Sequence, residues 1–390
     1  MILFFQAIDQ LLIDFKIREK VVAIVTDNAA AMKKTVELLK LRHSSCFAHC
    51  INLTVQDCLK VESFSTILSK IKAIVTFFHS STLACDKLRI AQKTSNKPEL
   101  KLIQEISTRW NSSYYMMKRI MEIRSEVAIA ISQCQKAPSF LTAENFTAIQ
   151  EIVRLLEPFD VATATISGES YVTSSLVIPL IRGISVKLSS LENSLTTIEG
   201  REVFHSLNNS INMRLKPFNT RTLNMISTLL DPRFKKTGFR TTQEADNASQ
   251  ILQREYAAII ASSAQRAEVP VPVPAPSTSS TECTSNDLLF LSNQQQYQIS
   301  TPVSDSIIDL RQYFEKPLIA SHQPILEYWD KSNNMLRVMA NKYLCCPATS
   351  VPSERIFSKA GQIMNVKRNR LKDKHLNTLL FIHHNYNIFK

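Results

Sequence analysis

Apolar residues recur at helical spacing over most of this chain, and the exceptions are short. Ile2, Phe5, Ile8, Leu11, Leu12 and Phe15 fall on one face of an amphipathic helix over residues 2–17. Val21 to Val25 is a mostly β-branched run without polar alternation, which predicts a short strand buried on both faces and closing at Thr26-Asp27-Asn28. Residues 29–40 return to helical spacing, Ser44 to Phe47 can form a second short strand, and Ile51 to Leu59 another helix. From Phe64 to about Ile260 the pattern is helical almost throughout, punctuated at Pro138, Pro158, Gly168, Pro217 and Asp231-Pro232. Residues 269–305 break it: prolines alternate with valine and then give way to small polar residues, the composition of an extended or disordered linker. Order resumes near Ile307, and Ile325 to Tyr343 reads as helix again. No internal repeat is present.

The closing stretch, CCPATSVPSERIFSKAGQIMNVKRNRLKDKHLNTLLFIHHNYNIF from Cys345 to Phe389, predicts two helices. Thr349 and Ser350 suit an N-cap, Pro352 falls in the first turn, where its missing N–H costs little, and Glu354 lies at the positive end of the dipole. A helix from Val351 to Met364 then places Ile356, Phe357, Ala360 and Ile363 on one face. After a basic turn with Lys367, Arg368 and Arg370, a second helix carries Leu371, Leu376, Leu379, Leu380, Phe381 and Ile382. That face is too apolar to be left in water.

Composition narrows the function. A chain of 390 residues can bury a sizeable core, and only five glycines argue against glycine-cradled phosphate or dinucleotide loops. The 46 basic against 34 acidic residues suit a polyanionic partner, and can equally serve solubility. Eight irregularly spaced cysteines predict reduced thiols in an intracellular protein. The N-terminal MILFFQAIDQLLIDF lacks a basic leader and is interrupted by Asp9 and Asp14, so it does not read as a signal peptide, and no other stretch reads as membrane-spanning. KRNRLKDK can act as a nuclear import signal.

PATSVPSERIFSKAG, then KRNRL, then LNTLLFIHHN resembles the C-terminal dimerisation region of the hAT superfamily of cut-and-paste DNA transposases and their BED-finger-associated descendants. Four stretches agree in order: VAIVTDNAAAM at 22–32, CFAHCINLTVQD at 46–57, TRWNSSYYM at 108–116 and LLDPRFK at 229–235. The resemblance implies a mostly α protein with a partial ribonuclease-H-like α/β core, its first strands missing, interrupted by a large helical insertion. The domains expected are 1–60 for the partial core, 61–265 for the insertion, 266–305 for the linker, and 306–390 for the dimerisation region completing the core.

Transposases of this type use three carboxylates to hold two divalent cations for phosphodiester cleavage. By resemblance Asp27 matches the second acidic position and Glu354 the third, while the first would lie upstream of this sequence. The residues alone allow a plainer role for each, Asp27 as a cap for the following helix and Glu354 as a first-turn dipole partner. Cys46 and His49 match the family's Cys-His motif, expected to support the fold and not to bind zinc, since a structural site needs a second, separated pair. Arg109-Trp110 matches an Arg-Trp motif whose indole can stack on a displaced base, although a helical tryptophan is more often core. In LLDPRFK, Asp231-Pro232 must end a helix, Phe234 packs, and Arg233 and Lys235 face DNA or solvent.

The expectations are a nuclear, hAT-transposase-derived protein without catalysis, dimerising with itself or a related hAT protein through Ile356, Phe357, Leu371, Leu376, Leu379, Leu380 and Ile382. DNA contacts are expected from Arg109, Trp110, Lys367, Arg368 and Arg370, with no membrane or small-molecule substrate. No cofactor is expected, Mg2+ or Mn2+ being required only by a complete active site. The alternatives are a fragment of an active two-metal transposase and a decaying remnant of one.

Overall fold

A computed structural model describes residues 2–267, 301–332, 335–364 and 371–386, and the protein is mostly α-helical. The first elements follow the predicted alternation: helix α1 (Ile2–Asp14), strand β1 (Ile24–Thr26), helix α2 (Ala30–Leu38), strand β2 (His43–Ser45) and helix α3 (Phe47–Leu59). The two strands pair in parallel, with Ile24 opposite His43 and Thr26 opposite Ser45, and α2 supplies the crossover that parallel neighbours need. Each strand is only three residues long, shorter than the apolar run at 21–25 suggested. Val22 and Ala23 instead pack against helical side chains. Among the described residues these are the two strands, so helices supply nearly all of the core.

That core has two parts. One gathers α3, α4 (Glu62–Ser80), α6 (Trp110–Glu122), α8 (Ala143–Ile166), α9 (Val177–Leu191) and α10 (Ile198–Ser210) around Phe47, Ile71, Leu155 and Phe159. Helix α5 (Thr82–Thr94) and helix α7 (Arg124–Ser132) pack beside it. The other joins α11 (Thr222–Leu230) and α12 (Thr242–Ala267) to helices after the linker: α13 (Pro302–Glu315), α14 (Ile325–Asp330) and α15 (Leu336–Leu344).

Several punctuation marks behave differently from expectation. α8 runs through Pro158, because Leu155, Leu156, Phe159 and Ala162 around it are all buried. Burying those side chains outweighs the roughly 3 kcal/mol a helical proline costs. The helix predicted over Ile325 to Tyr343 is two helices, Ile325–Asp330 and Leu336–Leu344. Helix α13 starts at Pro302, earlier than expected, because Thr301 and Ser304 form a reciprocal capping box. The linker expected at 266–305 falls largely outside the described residues. The stretch Ser174–Ser194 is long and apolar enough to cross a membrane by length and composition, which revises the expectation that no stretch is. Here its Val177, Ile181, Ile184 and Leu188 are buried in the protein core.

The two parts of the core are clasped at LLDPRFK. α11 stops at Leu230 because Pro232 follows, which leaves carbonyls at its end without helical partners. Two buried aromatic side chains from beyond the linker fill them: Tyr313 Oη donates to Leu229 O and Trp329 Nε1 to Leu230 O, each at 3.0 Å. Asp231 is 0% exposed and accepts from Ser175 Oγ at 2.6 Å and Arg233 Nη2 at 2.7 Å. Lys235 is buried too, its Nζ donating to Tyr313 O at 2.7 Å and lying over the Tyr313 ring. Lys235 therefore faces neither DNA nor solvent, and Arg233 is partly buried against Asp231. Their charges are used inside the fold.

Removing one partner of a buried ion pair strands the other charge, at a cost of about 3–5 kcal/mol. Asp231→Asn should therefore lower the unfolding free energy by an amount of that order and the urea midpoint with it, read by circular dichroism. A wild-type midpoint would show that the clasp contributes little.

Candidate functional site: the Cys46 junction and the C-terminal hairpin

Cys46 sits at the turn from β2 into α3 and joins distant parts of the chain. Its N–H donates to Thr26 O at 2.7 Å, the next N–H, of Phe47, donates to Ala348 O at 2.9 Å, and Ser350 N–H donates to Cys46 Sγ at 3.4 Å. Ala348 N–H in turn donates to Thr173 Oγ1 at 3.0 Å. The segment Cys346–Thr349 is consequently strapped to the body, with Cys346, Ala348 and Thr349 all buried. Asp27 follows Thr26 directly, and Glu354 lies one helical turn beyond Ser350. Asp27 and Glu354 thus each lie within a few residues of a hydrogen bond to Cys46, although Cys46 and Ser350 are 304 positions apart.

Both carboxylates are exposed and locally bonded. Asp27 Oδ1 accepts from Ala29 N at 3.2 Å, an Asx turn leading into α2, and Glu354 Oε1 accepts from Ser350 Oγ at 2.7 Å. The expected side-chain cap by Ser350 is not made, because its hydroxyl is turned to Glu354. Among the described residues no three His, Cys, Asp or Glu side chains gather in a way that could hold a metal ion. The donor set here does not form a cradle for one. Cys46 is buried, with its sulfur engaged by Ser350, and His49 is half-buried in the first turn of α3. Both occupy the foundation of the junction.

Trp110 begins α6, and its backbone N–H donates to Asn52 Oδ1 at 3.0 Å, tying the Arg-Trp motif to α3. Its indole is 2% exposed and lies beside Tyr114, with a ring separation of 6.0 Å. No face is open to a displaced base, so the stacking role expected for Trp110 does not fit this conformation. Arg109 is exposed at the helix entrance. Lys367, Arg368 and Arg370, the remaining DNA contacts expected, lie outside the described residues.

The closing helices, α16 (Val351–Ile363) and α17 (Asp373–Asn385), pack against each other as a hairpin. α16 buries none of its residues. Phe357 is 74% and Phe381 61% exposed, and Ile356, Leu379 and Ile382 are exposed with them, while Leu371, Leu376 and Leu380 are half-covered. Arg355 pairs with Glu169 of the body at 2.6 Å. A cavity of about 320 Å³, lined in part by Val172, Cys345, Pro352, Ile356 and His384, lies along the seam. Among the described residues nothing covers the hairpin's apolar face.

Residues 309–386, which include that hairpin, match the hAT family C-terminal dimerisation region. The chain is hAT-derived. Residues 44–155, from β2 into α8, match the family described as the ZBED1 RNase-like helical domain. Among relatives of this hAT-derived chain, human zinc finger BED domain-containing protein 4 is 27% identical over 92% of the chain and 30% of its own length. Human zinc finger BED domain-containing protein 6 is 24% identical over 86% of the chain and 37% of its own length. A putative AC transposase of Zea mays is 23% identical over 96% of the chain and 50% of its own length. The chain spans about a third of the two BED relatives and half of the plant transposase.

One group escaped the sequence analysis. Arg221 reaches Ser45 of β2 across 176 positions, at 3.3 Å, beside His43. Nothing in a lone arginine of a polar turn, KPFNTR, announces that meeting.

The chain has two tryptophans, and both Trp110 and Trp329 are buried. Its fluorescence should therefore resist iodide quenching and keep its emission maximum when double-stranded DNA is added. Ready iodide quenching would show that an indole reaches solvent, and a DNA-dependent change would restore a base-stacking role to Trp110.

Proposed function

We propose that this hAT-derived chain acts by dimerising through its C-terminal hairpin, in a nuclear role associated with DNA or chromatin and without catalysis of its own. The observation carrying this reading is the uncovered apolar face of α16 and α17, inside the segment that matches a dimerisation region. At about 25 cal/mol per Å² of apolar surface removed from water, covering aromatic and aliphatic side chains of this size favours association without metal or DNA. A second copy, or a related hAT protein with the same face, is the partner. The basic balance of the chain and its BED-named relatives support the nuclear, DNA-associated part. In this reading 1–60 is a partial ribonuclease-H-like core, 61–265 the helical insertion, and 306–390 the region that completes the core and dimerises.

A second reading is favoured by one observation, the gathering of Asp27 and Glu354 about the Cys46 turn. In it the chain is part of a longer two-metal transposase, with Mg2+ or Mn2+ held by these two carboxylates and a third from elsewhere. An upstream in-frame exon encoding further strands, found by mapping the 5′ end of the transcript, would favour it.

Because Cys346–Thr349 belongs to the body, dimerisation is best tested on the hairpin alone. Phe357→Glu with Ile382→Glu places charge on the exposed face and should give the 44.2 kDa monomer by light scattering, where the unaltered chain gives twice that mass. A soluble double variant that stays dimeric would refute the assignment.

A further inference from the structure

Beside β2 lies an open cavity whose chemistry is that of an anion site. Arg42, His43, Ser45, Thr220, Arg221 and Thr222 line it. Arg221 is half-buried, its guanidinium stacked on the Phe218 ring at 3.9 Å and bonded to the neutral Ser45 hydroxyl. Among the described residues it makes no ion pair with a carboxylate, and neither does Arg42. A guanidinium drawn out of water without a counter-ion is costly, and a bound anion offsets that cost. Buried arginines elsewhere in the fold show the contrast, since Arg233 is matched to Asp231.

Two further features point into the same space. Arg221 is the N-cap residue of the nine-residue α11, and no side chain caps that end, so its first N–H groups are unfilled by protein side chains. His43 Nε2 meets Thr26 Oγ1 at 2.8 Å, which fixes the ring at the cavity wall. Burial, followed by the charges of Lys33 and Arg221, holds this imidazole below its ordinary pKa, so the positive charge there belongs to the arginines and to Lys33. No carboxylate is among the causes of the shift at either His43 or Arg221, the one acid facing Arg221 being the buried Cys50 thiol.

We propose that this cavity binds a phosphate group, with Arg221 and Arg42 as its charged donors and Ser45, Thr222 and the α11 N-terminus as its neutral ones. Arginine's planar fork matches phosphate oxygens, and hydroxyls complete the set. The phosphate can come from a polynucleotide backbone or from a small phosphate in solution. The polynucleotide source rests on the DNA-associated role proposed above, whereas the site itself does not. It is also independent of dimerisation, because none of its residues lies on the hairpin.

The test uses the 390-residue chain and two variants, Arg221→Gln and Arg42→Gln. Arg42 is exposed, but its guanidinium also lies over the ring of buried Tyr343 at 6.0 Å, so the circular dichroism of each variant is matched to the parent before binding is compared. Binding of a fluorescein-labelled DNA duplex is followed by anisotropy over a salt series, and stabilisation by inorganic phosphate by thermal melting. A polynucleotide site predicts that each variant weakens duplex binding about tenfold and lowers the salt slope by about 0.9 for every phosphate it no longer neutralises, with light scattering unchanged. A small-phosphate site predicts unchanged duplex binding, but loss in both variants of the melting shift that phosphate gives the parent chain. If both variants match the parent in duplex affinity, salt slope and phosphate response, the proposal is overturned.

Discussion

The buried pairing of Asp231 with Arg233 is the constraint on which the architecture rests. A proline forces α11 to end in the interior, where the open carbonyls and the Asp231 charge must be satisfied by protein. They are satisfied from two directions, by Ser175 before α9 and by Tyr313 and Trp329 after the linker. Helices on both sides of residues 268–300 pack into the same cluster. With α15 anchored there, the following segment Cys346–Thr349 is delivered to the Cys46 turn. The hairpin follows, joined to the body by the Arg355–Glu169 pair, with an apolar face that no described residue covers.

The Cys46 junction holds distant parts of the chain together without any metal. Two acidic positions far apart in the chain are brought to one turn by backbone hydrogen bonds and a buried thiol, none of which requires metal. Such a junction persists for structural reasons whether or not chemistry occurs there. The Trp110 indole shows a similar shift of emphasis: it begins a helix docked on α3 through Asn52, and packing explains its burial without reference to a ligand.

Local periodicity made much of the fold legible. The early helix-strand alternation, the long helical middle and the two closing helices all follow from apolar spacing, and the five motifs led to the family. Tertiary pairings were not legible. Arg233 and Lys235 look like surface charge in sequence, and only the position of Ser175, Tyr313 and Lys316 shows them to be internal. Pro158 resembles a helix end because local propensity says so, while the core packed around it outweighs that preference. The Arg221 cavity was invisible for the same reason, since its walls come from β2 and the entrance of α11.

In the proposed dimer a second copy covers the exposed hairpin carried by a well-clasped body. Hydrogen exchange measured across a range of protein concentrations tests it most directly. The account predicts that amides of α16 and α17 gain protection as concentration rises, while those of α11 stay strongly and equally protected throughout. Protection of the hairpin that is strong and independent of concentration down to the monomeric range would contradict it.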